Sequence, residues 1–182
     1  MDRFEEYSKR IISDLIKDLK CVDWQAAGVV GNFAAETGKF KIYQEISPTV
    51  KGSKGGYGWA QWTGPRRRSF EAWCHENHLH VDSYEGNYGF LVHELKGTEN
   101  KALKALYKTN TANEAAKVFM EKYERPGIPA LDKRIKYANE ALKIYREGKT
   151  VITPTVEDQP YLVQYLIKLI AWVSRLFTKE KK

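Results

Sequence analysis

The chain has 182 residues, of which 42% are hydrophobic and 13% aromatic. This is enough apolar material to bury a core and too much for an intrinsically disordered chain, while 29% charged residues keep a surface solvated. Against 23 Asp+Glu stand 30 Lys+Arg, and the net charge of +7 favours polyanionic partners such as nucleic acid, anionic lipid or an acidic wall polymer without choosing among them.

The length suits one domain of about 150 residues with something attached. The opening residues Met1-Asp2-Arg3-Phe4-Glu5-Glu6 are charged, so no cleaved signal peptide is expected. Cys21 and Cys74 are too few for a disulfide scaffold and wrongly spaced for zinc, and two free buried thiols are expected. His75, His78, His80 and His93 form no ligand motif, so neither a metal nor another cofactor is expected.

The first predicted element is an amphipathic helix, marked by Phe4, Tyr7, Ile11, Ile12, Leu15, Ile16 and Leu19. The second, over 24–36, is different in kind. Ala26, Ala27, Gly28, Gly31, Ala34 and Ala35 make it small on every side, the pattern of a buried central rod that lets neighbours approach closely. Asp23 is the expected N-cap and Gly38 the expected stop. Glu36 then falls in the last turn after an apolar run, where the macrodipole disfavours an ionised carboxylate by about 0.3–1 kcal/mol and burial acts in the same direction. A carboxylic acid that keeps its proton in a cleft is what glycoside hydrolysis uses to protonate a leaving oxygen.

Residues 39–63 carry Pro48, Gly52, Gly55, Gly56 and Gly58 among short aromatic and β-branched runs, which predicts a loop with a small irregular sheet or hairpin. Trp59 and Trp62 put an aromatic face on this segment, suited to core packing or to sugar stacking. Helices are predicted again over 65–77, 88–95, 100–107, 112–124 and 130–147. Pro65 suits a first turn, Thr111 with Glu114 matches a capping box, and Gly148 suits the residue after a helix end. Arg66, Arg67 and Arg68 read as a solvated turn with one guanidinium buried against a carboxylate. The fold class is mostly α with a small β-like region.

Three blocks, Gly31-Asn32-Phe33-Ala34-Ala35-Glu36-Thr37-Gly38, Gly56-Tyr57-Gly58-Trp59-Ala60-Gln61-Trp62-Thr63-Gly64 with the three arginines, and Phe119-Met120-Glu121-Lys122-Tyr123-Glu124-Arg125-Pro126, resemble the phage tail lysozyme family of the lysozyme-like superfamily. The resemblance spans roughly residues 23–141. It implies a lysozyme-like domain that cleaves the β-1,4 link between N-acetylmuramic acid and N-acetylglucosamine, with Glu36 as general acid and glycan strands of peptidoglycan as partner. It places Gln61 opposite the glutamate, where an amide holds a water or a sugar group, and Tyr123 near the cleft by analogy with lytic transglycosylases. Tyr57, Trp59 and Trp62 are the candidate substrate-binding residues. Glu45, nine residues after Glu36 in the loop expected to line the cleft, is a second carboxylate suited to base or electrostatic work, and no motif assigns it. Tyr123-Glu124-Arg125 also admits a purely structural reading, with Arg125 tying the helix end to the cleft wall.

Residues 149–160 carry Pro154 and Pro160 without helical periodicity, a linker between the domain at 1–148 and a segment at 161–182. From Tyr161 to Lys182 the pattern is a basic amphipathic helix, about 17 apolar-rich residues with interior cations where a membrane span needs about 20. It suits an anionic membrane surface, docking on the domain, or pairing with another copy. The expected protein is a monomeric phage or prophage endolysin made in the host cytoplasm and acting on the cell wall. The alternatives are a lytic transglycosylase of the same fold and a membrane-active or wall-binding protein with an inert glycosidase-like domain. No specific nucleic acid is expected, because the basic residues form no recognisable module.

Overall fold

A computed structural model describes residues 2–46, 48 and 54–150. Helix α1 (Arg3–Leu19) buries Phe4, Ile11, Ile12, Leu15 and Leu19 on the face its periodicity marks. Helix α2 (Asp23–Glu36) is the central rod, with every residue from Gln25 to Ala34 buried. Asp23 is its first helical residue and not its cap. Val22 occupies the cap position, and the Gln25 side-chain oxygen accepts the Val22 N–H at 3.1 Å. Asp23 instead takes Arg146 as an ion-pair partner at 2.9 Å. At the other end Gly38 adopts φ +58°, the Lys39 N–H returns to the Ala34 carbonyl at 2.8 Å, and Thr37 Oγ1 donates to the Phe33 carbonyl at 2.6 Å.

The small residues of α2 do what their pattern predicts. A Cβ on Gly28 would stand 2.5 Å from Ala115 Cβ, and one on Gly31 would stand 2.5 Å from the Arg134 carbonyl oxygen. Helices α6 (Ala112–Phe119) and α7 (Leu131–Thr150) therefore lie against α2 at backbone distance.

Residues 37–63 contain no strand ladder among the described residues. The expected sheet is reduced to two isolated antiparallel bridges, Gln44 with Tyr57 and Tyr57 with Trp62. The second is a tight turn closed by reciprocal bonds, Tyr57 N–H to the Trp62 carbonyl at 3.1 Å and Trp62 N–H to the Tyr57 carbonyl at 2.8 Å. Its wall is held from α4 (Tyr84–Lys96), where the Asn87 side-chain oxygen accepts the Trp59 N–H at 3.0 Å.

Helix α3 (Gly64–Glu76) carries Pro65 in its first turn as expected. Helix α4 begins a turn earlier than its apolar pattern, because Ser83 Oγ accepts the Gly86 N–H at 3.0 Å. Helix α5 (Asn100–Leu106) is short, and α6 opens on the predicted cap, Thr111 Oγ1 accepting the Glu114 N–H at 3.1 Å. The stretch expected as one helix over 112–124 changes character at Met120 and continues to Glu124 as a π-helical turn, closed by Arg125 N–H to the Met120 carbonyl at 2.7 Å. Gly148 does not end the last helix, which continues to Thr150 because glycine lowers helix propensity without removing the backbone donor. The expected C-terminal amphipathic helix lies outside the described residues.

Candidate active site

A cleft of about 660 Å³ opens between the loop after α2 and the segment joining the π-helical turn to α7. Glu36, Glu45, Gln61 and Glu124 line it. Three of these are the residues singled out in the sequence, and the loop does face the glutamate.

Glu36 is the last residue of α2, and its side chain is 23% exposed. Its carboxyl has a charged partner. Arg134 Nη2 donates to Glu36 Oε1 at 2.5 Å, and that guanidinium is itself only 3% exposed. The same arginine donates through Nη1 to Asn32 Oδ1 at 3.0 Å and through Nε to the Pro129 carbonyl at 2.8 Å. Asn32, wholly buried one turn before Glu36, turns its amide nitrogen to the Gly28 and Ala116 carbonyls at 2.8 and 3.0 Å, so its oxygen must face Arg134. Lys133 Nζ donates to the Ala35 carbonyl at 3.2 Å. The negative end of the α2 macrodipole is thus met by two cations from α7.

On the opposite wall, Glu45 Oε2 accepts the Gly56 N–H at 2.7 Å. Gln61 sits at φ +47° and donates its amide hydrogens to the Tyr43 and Gly58 carbonyls at 3.1 and 2.8 Å. It therefore braces the turn while its side chain lines the cleft.

The aromatic candidates are elsewhere. Trp59 and Trp62 are 0% and 1% exposed, leaving no ring face for a sugar. Trp59 packs on Phe33, Phe40 and Tyr84, and Trp62 on Phe70 and Phe90. Tyr57, half-buried, packs against Phe70 and hydrogen-bonds Asp82, outside the cleft lining. Tyr123 is 0% exposed and donates to Glu94 Oε2 at 2.6 Å. Burial and the neighbouring Glu94 carboxylate push its phenol well above the ordinary tyrosine range. These four are scaffold, Trp62 and Tyr123 held by Glu94 of α4 and Trp59 and Tyr57 packed against Phe33 and Phe70.

Glu94 is the hub of that scaffold. It accepts Arg66 Nε and Nη2 at 2.9 and 2.8 Å, Trp62 Nε1 at 2.9 Å and the Tyr123 hydroxyl. Two guanidiniums of the arginine run are thereby ordered, since Arg67 also pairs with Glu71 at 2.7 Å. Arg125 holds Glu99 through two bonds at 2.9 and 2.8 Å, which keeps the Glu99 carboxyl below the usual range and ties the end of the π-helical turn to the start of α5.

Glu124 is the residue the sequence did not single out as functional. The π-helical turn brings it to the cleft, where Oε1 is fully buried without a hydrogen-bond partner. Burial first, then the Glu36 carboxylate, raises its acid well above the usual carboxylate range. Among the described residues no group of three or more His, Cys, Asp or Glu stands together as a metal site.

Residues 7–145 match the sequence profile of the phage tail lysozyme family, more than two thirds of the chain. The chain belongs to that family. Membership makes it a lysozyme-like, peptidoglycan-degrading protein of glycosidase type, and the mostly helical architecture agrees. A comparison with curated proteins finds no match. The family span contains the cleft entire, including Arg134 and Asn32.

Proposed function

We propose that the protein is a muramidase that cleaves the β-1,4 bond between N-acetylmuramic acid and N-acetylglucosamine, with Glu36 delivering the proton to the leaving oxygen. The observation that supports this most directly is the Glu36 carboxyl on the cleft wall, held in one orientation by a buried guanidinium. Glu45 supplies the second carboxylate. Anchored by the Gly56 N–H across the cleft, it offers negative charge to an oxocarbenium-like transition state or takes a proton from the attacking water. The Gln61 amide nitrogen is engaged with two carbonyls, so its oxygen serves as the acceptor for a sugar hydroxyl or a water.

Glu36→Gln should keep the fold and abolish turbidity loss of purified peptidoglycan. Undiminished lysis by that variant would overturn the assignment. The second reading, a lytic transglycosylase, is favoured by the neutral Gln61 on the cleft wall with Glu36, since internal attack by the muramyl 6-hydroxyl needs no second carboxylate. Mass spectrometry of the released sugars separates the two, with reducing ends from hydrolysis and 1,6-anhydro ends from internal attack.

The biological setting that fits is a phage or prophage endolysin, with the basic amphipathic pattern of Tyr161 to Lys182 as a membrane contact. A chain ending at Gly148 should then retain hydrolysis of exposed wall and lose permeabilisation of anionic vesicles. If the full chain permeabilises vesicles but neither form degrades peptidoglycan, the domain is inert and the membrane reading prevails.

A further inference from the structure

The guanidiniums around the cleft are each taken by a carboxylate other than Glu124. Arg134 from α7 engages Glu36 from α2, and its other donors go to Asn32 and Pro129. Arg66 from α3 engages both oxygens of Glu94 from α4, and its remaining nitrogen goes to the Tyr123 carbonyl at 3.3 Å. Glu99, beside α5, is matched by Arg125. Each guanidinium facing Glu124 is therefore already matched by another carboxylate. Glu124 is left without a guanidinium of its own, with one oxygen sealed from water and no donor to it, and the remaining cation of the cleft wall, Lys133, donates to the Ala35 carbonyl. An isolated buried carboxylate is expensive, and neutralisation by a proton is the available remedy.

Resting on the reading of Glu36 as the delivering acid, we propose that Glu124 holds the proton used in cleavage: it rests on Glu124 in the free protein and passes to Glu36, which gives it to the leaving glycosidic oxygen. Glu124 acts through Glu36 and is a positioning residue for the proton. The difficulty it resolves is specific. Glu36 is the group on the cleft wall, and its Oε1 is already taken by the buried Arg134 guanidinium. The two carboxyls line one cleft, and the Glu36 charge acts on the Glu124 acid.

The balance is complete. The O–H bond of Glu124 breaks as one forms on Glu36; that bond breaks in turn as the leaving oxygen gains the proton and its bond to the anomeric carbon is cut. Water gives its hydroxyl to the anomeric carbon, and its remaining proton restores the pair. During the transfer the negative charge moves from Glu36, which has Arg134, to Glu124; once the leaving oxygen has taken the proton both carboxyls are ionised, and the proton from water returns the pair to a single negative charge.

Infrared titration of the carboxylic-acid carbonyl stretch tests where the proton rests, on the protein alone and without substrate. Wild type should show one such band persisting at neutral pH, and Glu124→Gln should lose it. In Glu36→Gln the band should titrate at lower pH, because Arg134 is released toward Glu124 and the opposing carboxylate is gone. A neutral-pH band that survives in Glu124→Gln, or an unchanged midpoint in Glu36→Gln, overturns the proposal. Glu124→Met repeats the test if the glutamine amide, with two hydrogens to satisfy, prevents folding. With purified peptidoglycan, the alkaline limb of kcat should move at least one pH unit lower in Glu124→Gln while the acid limb stays; an unmoved limb overturns the transfer. A fully active Glu36→Gln would remove the assigned reaction and leave the infrared result standing.

Discussion

Replacing Gly31 by alanine sets two forces against each other at one position. Helix propensity favours alanine over glycine by about 1 kcal/mol in a helix interior. The new Cβ, however, would lie 2.5 Å from the Arg134 carbonyl oxygen, 2.6 Å from the Ala138 nitrogen and 2.7 Å from Ala138 Cβ. Restoring the 3.4 Å of ordinary contact requires α7 to recede by about 0.9 Å at its nearest point. Two of the three atoms are backbone, so no side-chain rotation relieves the clash. Overpacking of this kind costs about 1–3 kcal/mol, which outweighs the propensity gain. The net loss should be about 1 kcal/mol, or about 2–4 °C in melting temperature for a domain of this size. Activity should suffer more than stability. The atom displaced belongs to Arg134, whose guanidinium orients Glu36, and a misplacement near 1 Å costs about 100-fold in rate. Thermal unfolding by circular dichroism and lysis rate per mole of folded protein measure the two effects. A variant that melts higher than wild type and lyses peptidoglycan at the same rate would refute the packing argument. Gly127→Ala is the control, since a Cβ there meets nothing within 4 Å; its stability should change by no more than about 0.5 kcal/mol.

Tyr123→Phe removes one donor from the Glu94 hub and should lower stability by about 1.5–3 kcal/mol in urea unfolding. Its kcat, measured well below the melting temperature, should stay within a few-fold of wild type; a loss of kcat as large as that of Glu36→Gln would restore a catalytic role to the tyrosine. Glu124 makes stability depend on pH with a definite sign. Its acid is raised in the folded state, so the folded protein binds more protons than the unfolded chain once pH exceeds the ordinary carboxylate range. The stability it contributes is full below that range and is lost as pH rises through the folded value. The urea midpoint of wild type relative to Glu124→Gln should therefore fall as pH rises above the ordinary carboxylate range, and a rising difference would contradict the assignment. Cys21 and Cys74 are free and buried, with burial pushing their thiols up to about 12 and about 11. A disulfide-exchange reagent should label them on unfolding only, and prompt labelling of the folded protein would count against their burial.

Much of the fold was legible because its signals are local. The stripe from Phe4 to Leu19, the caps at Thr111 and Gly38 and the proline at the start of α3 each act within one or two helical turns. The small residues of α2 likewise announced a close approach, though not which helices would make it. Where local signals competed, the expectations missed. Asp23 looked like a cap and became an ion-pair partner of Arg146, 123 positions away. Gly148 looked like a stop, yet the helix ran through it. Trp59 and Trp62 looked equally suited to core and cleft, and only packing against Phe33 of α2, Phe70 of α3 and Tyr84 and Phe90 of α4 decided for the core.

By itself the sequence determined that a carboxylate ends an apolar helix and that a glycine-rich loop follows it. Both depend on backbone hydrogen bonding and a period of 3.6 residues, which neighbours in the chain are sufficient to set. The tertiary structure decided what that carboxylate is paired with and which carboxyl is left without a cation. Arg134 reaches Glu36 across 98 residues, and Asn32 orients that same arginine across 102. Glu124 arrives on a π-helical turn that a 3.6-residue pattern does not anticipate. Charge balance in a buried cleft is a sum over groups brought together by packing, and no stretch of the chain contains that sum.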